Sequence, residues 1–277
     1  MATQLPLPWV RMRPAARVYL LVAGVAMLAA AAVVGLTLAT RQTPPQPTPL
    51  AGRPPVPKPL ETPVAGRIRA AFAAWPHGTV DALEQLATAR PRDPAVQFSL
   101  GLALVYAGYE AEAETALRAA KRLGRDTPVE LQADSLLHPQ YFPGVPVFAY
   151  GGPNRVLRRG SELQAQGHQH SAERLYARAA RLQPANAEAR VAAAVGLFDK
   201  DDLTPAFAQL GPLTKRFPRS QTVRYYLGLL LAWTGQGDAA VAEFTRAVAL
   251  DPASPLGRNA KEFLRRLQQI RTRTPGK

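Results

Sequence analysis

"VLRRGSELQAQGHQHSAERLYARAARLQP" (156–184), "RVAAAVGLFDKDDLTPAFAQLGPLTKRFP" (190–218) and "RYYLGLLLAWTGQGDAAVAEFTRAVALDP" (224–252) are three successive versions of one pattern. The closing prolines Pro184, Pro218 and Pro252 stand 34 residues apart. Ala172, Ala206 and Ala240 keep the same interval, as do Gly160, Ala194 and Gly228, and the bulky Tyr176, Leu210 and Phe244. Gly167 and Gly235 lie two periods apart. Several independent positions sharing one period define a repeat.

The physics of one unit explains the interval. A first helix of about fourteen residues, roughly four turns, carries a small residue in its middle, where a neighbouring helix packs closely. A turn follows, with Gly167 or Gly235 supplying backbone freedom. A second helix places Ala at its first contact and an aromatic or Leu one turn later, and Pro ends the unit because it cannot continue a helix interior. One such pair cannot bury its apolar face alone, so units stack into a solenoid.

On these residues the chain resembles the tetratricopeptide repeat family. The family's small–small–aromatic–small–Pro signature stands as Gly160, Ala172, Tyr176, Ala179 and Pro184, and again as Leu227, Gly228, Ala240, Phe244, Ala247 and Pro252. The middle unit keeps Ala194, Ala206, Leu210 and Pro218. None of the three has Trp at the family's early aromatic position, where Val156, Arg190 and Arg224 stand. The expected fold is all-α: a helical-hairpin solenoid of about four to five units with a C-terminal capping helix, behind one transmembrane helix.

That transmembrane helix is read from Val18 to Thr40, where 23 consecutive positions carry no charge. At about 1.5 Å per residue such a helix spans the roughly 30 Å hydrocarbon core. The rival is a cleaved signal peptide with Thr37-Leu38-Ala39 as the cleavage site, although its apolar core would be long for that role. Arg11, Arg13 and Arg17 crowd the N-terminal flank and Arg41 stands alone after the span. That bias orients the basic tail (1–17) to the cytoplasm and the repeats to the extracytoplasmic side of the cell membrane. Residues 43–63 hold nine prolines, so 41–63 reads as a semi-rigid polyproline II linker.

The folded part is expected over 64–277: a degenerate capping unit (64–93), a repeat (94–127), an insertion (128–152), repeats at 153–186, 187–220 and 221–254, and a basic capping helix and tail (255–277). In the insertion, Thr127, Pro128 and Glu130 read as N-cap, N1 proline and capping-box glutamate of a short helix ending near His138. The following "PQYFPGVPVFAYGGP" reads either as a loop packing its aromatics on the solenoid edge or as a lid or partner contact.

Composition narrows function. The net charge is +14, but residues 61–254 contribute only +2 and each flank +6. The solenoid is therefore nearly neutral, and no nucleic-acid partner is expected. There is no cysteine, hence no disulfide, thiolate metal site or Cys nucleophile. His168 and His170 fall in an inter-helix turn and read as solvated. Asp199, Asp201 and Asp202 lack the glycine and closing glutamate of a calcium loop and read as caps of the next helix. No P-loop, HExxH or GxSxG occurs, so neither enzymatic activity, metal nor cofactor is expected.

The resemblance implies that first-helix side chains line a concave face that binds protein or peptide partners. Those positions are Phe98, Leu102 and Tyr106, then Leu157, Ser161 and Gln164, then Val191, Val195 and Phe198, then Tyr225, Leu229 and Trp233. So apolar a face suits a hydrophobic or aromatic peptide. The expected function is a membrane-anchored interaction scaffold, in an envelope assembly or biogenesis complex. The alternative is a structural subunit of a fixed membrane-associated oligomer, and a third class, an enzyme using 126–152 as a lid, lacks a catalytic group.

Overall fold

A computed structural model describes residues 50–273 apart from 51 and 59, with the backbone alone described for 268 and 270–273. The chain divides into two compact units, Met1–Thr48 and Pro49–Lys277, and the described residues belong to the second. The apolar span expected at 18–40 lies outside the described residues. Among those described, no helix is long and apolar enough to cross a membrane.

All regular structure among the described residues is helical. Helices α1 (Ala65–Ala73) and α2 (Thr79–Ala89) form one hairpin, and α3 (Pro94–Ala107) and α4 (Glu110–Leu123) the next. Helix α5 (Pro128–Leu137) packs on α4. Then come the hairpin α6 (Arg155–Ala165) and α7 (Gln169–Leu182), helix α8 (Ala187–Gly196) with α9 (Thr204–Leu210) and α10 (Leu213–Arg216), and the hairpin α11 (Gln221–Trp233) and α12 (Gly237–Leu250). Helix α13 (Pro255–Arg273) packs on α12 and α11.

Local chemistry sets the starts of the first helices. Asp93, Asn154, Asn186 and Ser220 each accept hydrogen bonds from the first-turn N–H groups of α3, α6, α8 and α11, satisfying donors that have no partner inside the helix. The hairpin turns bend at Gly167 (φ 87°) and Gly235 (φ 75°), a region that L side chains disfavour. In the middle unit Pro212 follows Gly211, and the second helix splits there into α9 and α10, because proline has no N–H to continue the ladder.

The small residues of the pattern face the bulky ones sixteen positions on. A Cβ on Gly160 would stand 2.4 Å from Cε1 of Tyr176, one on Gly228 3.0 Å from Cδ1 of Phe244, and one on Gly101 2.7 Å from Cγ of Leu117. The periodicity in the sequence is this close approach of the two helices in each hairpin.

Burial is organised into two separate apolar cores. One runs from Val64 to Ala133 and gathers α1 to α5; the other runs from Phe148 to Ala260 and gathers α6 to α13.

Two local expectations are corrected. Thr127 makes no side-chain cap on α5; its hydroxyl donates to the Gly124 carbonyl at 2.5 Å, and Glu130 accepts from Asp126 N–H at 2.6 Å. The Pro-rich stretch is also no free spacer from residue 50 onward. Leu50 N–H donates to the Tyr106 carbonyl at 3.0 Å, Arg53 to the Phe72 carbonyl at 2.6 Å, and Gln132 to the Lys58 carbonyl at 2.8 Å. Pro54 and Pro57 are buried, and Val56 and Leu60 pack on the first core.

Candidate functional site

The insertion does not stay at the solenoid edge. After α5 the chain runs without regular structure across first-helix positions of the later units. Phe148 is its anchor, 1% exposed, with its ring 4.8 Å from Tyr226, 5.7 Å from Tyr176 and 6.0 Å from Tyr150. Gln164 of α6 accepts the Phe148 N–H at 2.8 Å and donates to the Pro146 carbonyl at 3.1 Å. Ser161 accepts the Tyr150 N–H at 3.1 Å, and the Tyr226 hydroxyl donates to the Ala149 carbonyl at 3.2 Å. Farther along, Phe142 N–H donates to the Trp233 carbonyl at 3.3 Å and the two rings lie 5.7 Å apart. A side-chain grip on alternate backbone groups plus an aromatic anchor is how a groove holds an extended peptide. Here the peptide is the chain's own.

This arrangement places the face expected to receive a partner. Leu157, Val191, Val195, Phe198, Tyr225 and Leu229 are buried in the second core. Gln164 and Ser161 hold the inserted segment. Tyr225 also packs on Phe244 and Phe263, the latter from α13, at 5.8 and 6.4 Å, and Trp233 meets Phe263 at 6.3 Å. Burial pushes the Tyr176 and Tyr226 hydroxyls well above the ordinary tyrosine range, so both stay neutral donors. Tyr106 is half-buried with its ring edge-on to Trp75 at 6.4 Å.

Phe98 and Leu102 on α3 have a different neighbourhood. They line an open groove of about 470 Å³ between Pro55–Pro57 on one side and Leu131, Leu136 and Pro143 on the other. Its walls are almost wholly apolar side chains, with Lys58, Gln132 and Ser135 the polar exceptions.

Between the two cores lies a polar seam that the sequence did not reveal. Lys121 Nζ stands 2.8 Å from Asp134, 2.5 Å from Asp201 and 3.3 Å from Asp199. Lys200, whose side chain is fully buried, lies 3.3 Å from the other Asp134 oxygen, an ion pair without a hydrogen bond. His138 meets Asp201 at 3.0 Å and His170 meets Glu130 at 2.8 Å. His168 Nδ1 is 2.8 Å from the Asp126 carbonyl. Asp126, at φ 65°, turns its carboxylate to Ser171, accepting from its N–H at 3.0 Å and its hydroxyl at 2.5 Å, and so caps α7 from outside. His168 and His170, expected as solvated turn residues, are instead half-buried cross-seam partners. Of the three aspartates expected as caps, only Asp202 serves the helix that follows, accepting from Thr204 N–H at 2.9 Å.

Charge explains what the seam is suited to hold. Burial alone would lower the Lys121 ammonium, but its bonds to Asp134 and Asp201 outweigh that and raise it. Partial burial would likewise raise the Asp201 carboxyl, and Lys121 and His138 more than reverse it. Asp134, His138 and Asp201 bring three donor atoms within 4.8 Å of one another, a spacing that suits a metal ion. Lys121 and Lys200 already bring positive charge to the same carboxylates, so the cluster reads as a lysine-centred ion network.

Residues 197–255 match the family model of the tetratricopeptide repeat. No curated protein matches the chain. Together with the helical architecture of the described residues, the match supports a tetratricopeptide-like fold. Repeats of this class generally mediate protein–protein interaction, and the fold is typically a non-catalytic scaffold.

Proposed function

We propose that this protein is a membrane-anchored scaffold that binds other proteins through its tetratricopeptide-like solenoid and performs no catalysis. The observation that carries this reading is the grip of Gln164, Ser161 and Tyr226 on the chain's own residues 146–150, which supports a capacity of first-helix groups to hold an extended aromatic segment. Phe98 and Leu102 are buried in the first core but form the floor of an open groove edged by the exposed Pro55 and the half-buried Leu136, and that groove is where a partner would enter. Anchoring rests on the uncharged stretch Val18–Thr40, and placement outside the cytoplasmic membrane rests on Arg11, Arg13 and Arg17. An envelope assembly or biogenesis complex is the setting that this architecture suits.

Photo-crosslinkers at Leu136, on the open groove, and at Ala149, over the filled one, test this in intact membranes with the full chain. A discrete protein adduct from Leu136 that disappears with Pro55→Asp, an exposed position on the same groove, supports the scaffold. Equal labelling from both positions, or none from either, removes it.

One observation favours a second reading, the structural subunit. The later part of the expected binding face is already covered, as a permanently packed component requires. Sedimentation of the detergent-solubilised full chain separates the two, since a stable homo-oligomer with Leu136 protected from labelling belongs to the second.

A further inference from the structure

We infer that the seam between the two cores is an articulation, latched by Lys121, about which the two halves of the solenoid change their relative orientation. The first support is the division of apolar packing. The cluster ending at Ala133 and the one beginning at Phe148 share no buried residue. Most apolar burial is therefore internal to each half and independent of the angle between them, with the approach of Pro128 to Gly167 among the contacts that cross. In a repeat array whose units share one continuous core, bending would expose much apolar area; here it would expose less.

The second support is the chemistry of the contacts that cross. Lys121 on α4 reaches Asp199 and Asp201 in the turn after α8, His138 reaches Asp201, Glu130 reaches His170, and Asp126 reaches Ser171. Asp199 and Asp201 are exposed, so water can replace their bonds to Lys121, whereas Glu130 and the Lys200–Asp134 pair, which also crosses, are buried. Exposed pairs are weak and screened by salt. Lys121 is singular because it holds one carboxylate of its own half, Asp134, and two of the other.

The third support is packing. A half-open cleft of about 240 Å³ lies along the seam, walled by Leu131, Val145 and Phe198 among others, so the two halves are not packed together along its length. The connection from His138 to Gly144 has no regular structure, with Pro139, Gln140, Phe142 and Pro143 exposed and Gly144 at φ 71°. Such a segment absorbs a change of angle without breaking a helix. Opening the seam would enlarge the cleft and alter the groove at Leu131, which borders both features.

The chain has no cysteine, so spin labels can be placed in the full-length, detergent-solubilised protein without background. Thr115→Cys on α4 with Arg178→Cys on α7 reports across the seam, and Arg178→Cys with Ala249→Cys reports within the second half. Raising salt from about 0.1 M to about 1 M cuts the Debye length from about 10 Å to about 3 Å. The expected result is a longer, broader cross-seam distance in high salt and in Lys121→Met, with the internal distance unchanged. A cross-seam distance that stays fixed under both treatments overturns the articulation. So does a change in both distances together, which would mean that the halves unfold as one. Should Lys121→Met fail to fold, the salt series on the otherwise unaltered protein decides alone.

Discussion

Gln164 holds Phe148 from the side of the backbone: its carboxamide oxygen accepts the Phe148 N–H at 2.8 Å, and that same oxygen accepts the Tyr176 hydroxyl at 3.1 Å. Its nitrogen serves the Pro146 carbonyl and Gln169. Only 2% of the residue is exposed, so each of these groups would lose its partner with no water to replace it. Gln164→Leu is therefore expected to cost about 1–3 kcal/mol or more, the penalty for stranded buried polar groups. Urea unfolding measures it, and faster proteolysis within 139–150 should accompany it. A variant with unchanged stability and unchanged proteolysis would show that the segment is held without the Gln164 carboxamide.

The hairpin packing makes a graded prediction. Gly160→Ala forces a Cβ to within 2.4 Å of the buried Tyr176 ring, an overpacking expected to cost about 1–3 kcal/mol. Gly66→Ala in α1 meets nothing within 4 Å and should be neutral or stabilising by up to about 1 kcal/mol. Thermal unfolding of the pair checks this, and equal effects would contradict the close-approach explanation of the repeat.

Tyr225→Ala removes a side chain that contacts Tyr226, Phe244 and Phe263 and bonds to Asn259. The expected loss is about 3–5 kcal/mol, the range for a buried aromatic. Circular dichroism and urea midpoints decide whether this position is core. A fully stable variant would return Tyr225 to the set of partner-facing residues.

Asp126 gives the pH dependence. Partial burial would raise its carboxyl, but the Ser171 hydroxyl, the Ser171 and His170 N–H groups and Arg174 together hold it below the ordinary 3.8. A depressed carboxylate contributes stability above its unfolded value and loses it as pH falls through its folded value. Asp126→Asn should thus be less stable near neutrality, with the gap to the unaltered protein closing below about pH 3.8. A gap that persists unchanged into acid would mean that the carboxylate's charge is not what caps α7.

The hairpins were legible because their determinants are local in sequence. Gly160 and Tyr176, or Gly228 and Phe244, are a fixed sixteen positions apart, so the packing partner of each small residue is visible as periodicity. Turn glycines and closing prolines act through their own backbone. The site was legible only in part. Leu157, Val191 and Leu229 were placed on the right helices, whereas Phe198 lies in the turn beyond α8, which ends at Gly196; nothing in their spacing says that Phe148 would cover that surface.

The sequence by itself determined the repeat period, the helical class and the excess charge of the flanks, since each depends on residue type and near-neighbour spacing. Tertiary structure alone decided what crosses between units. Lys121 meets Asp201 eighty positions away, Tyr226 meets Ala149 across 77, and Leu50 docks on Tyr106. Such contacts carry no period: they arise where a non-repeating segment meets a surface that the repeats assemble, and complementarity in space, not spacing along the chain, selects them.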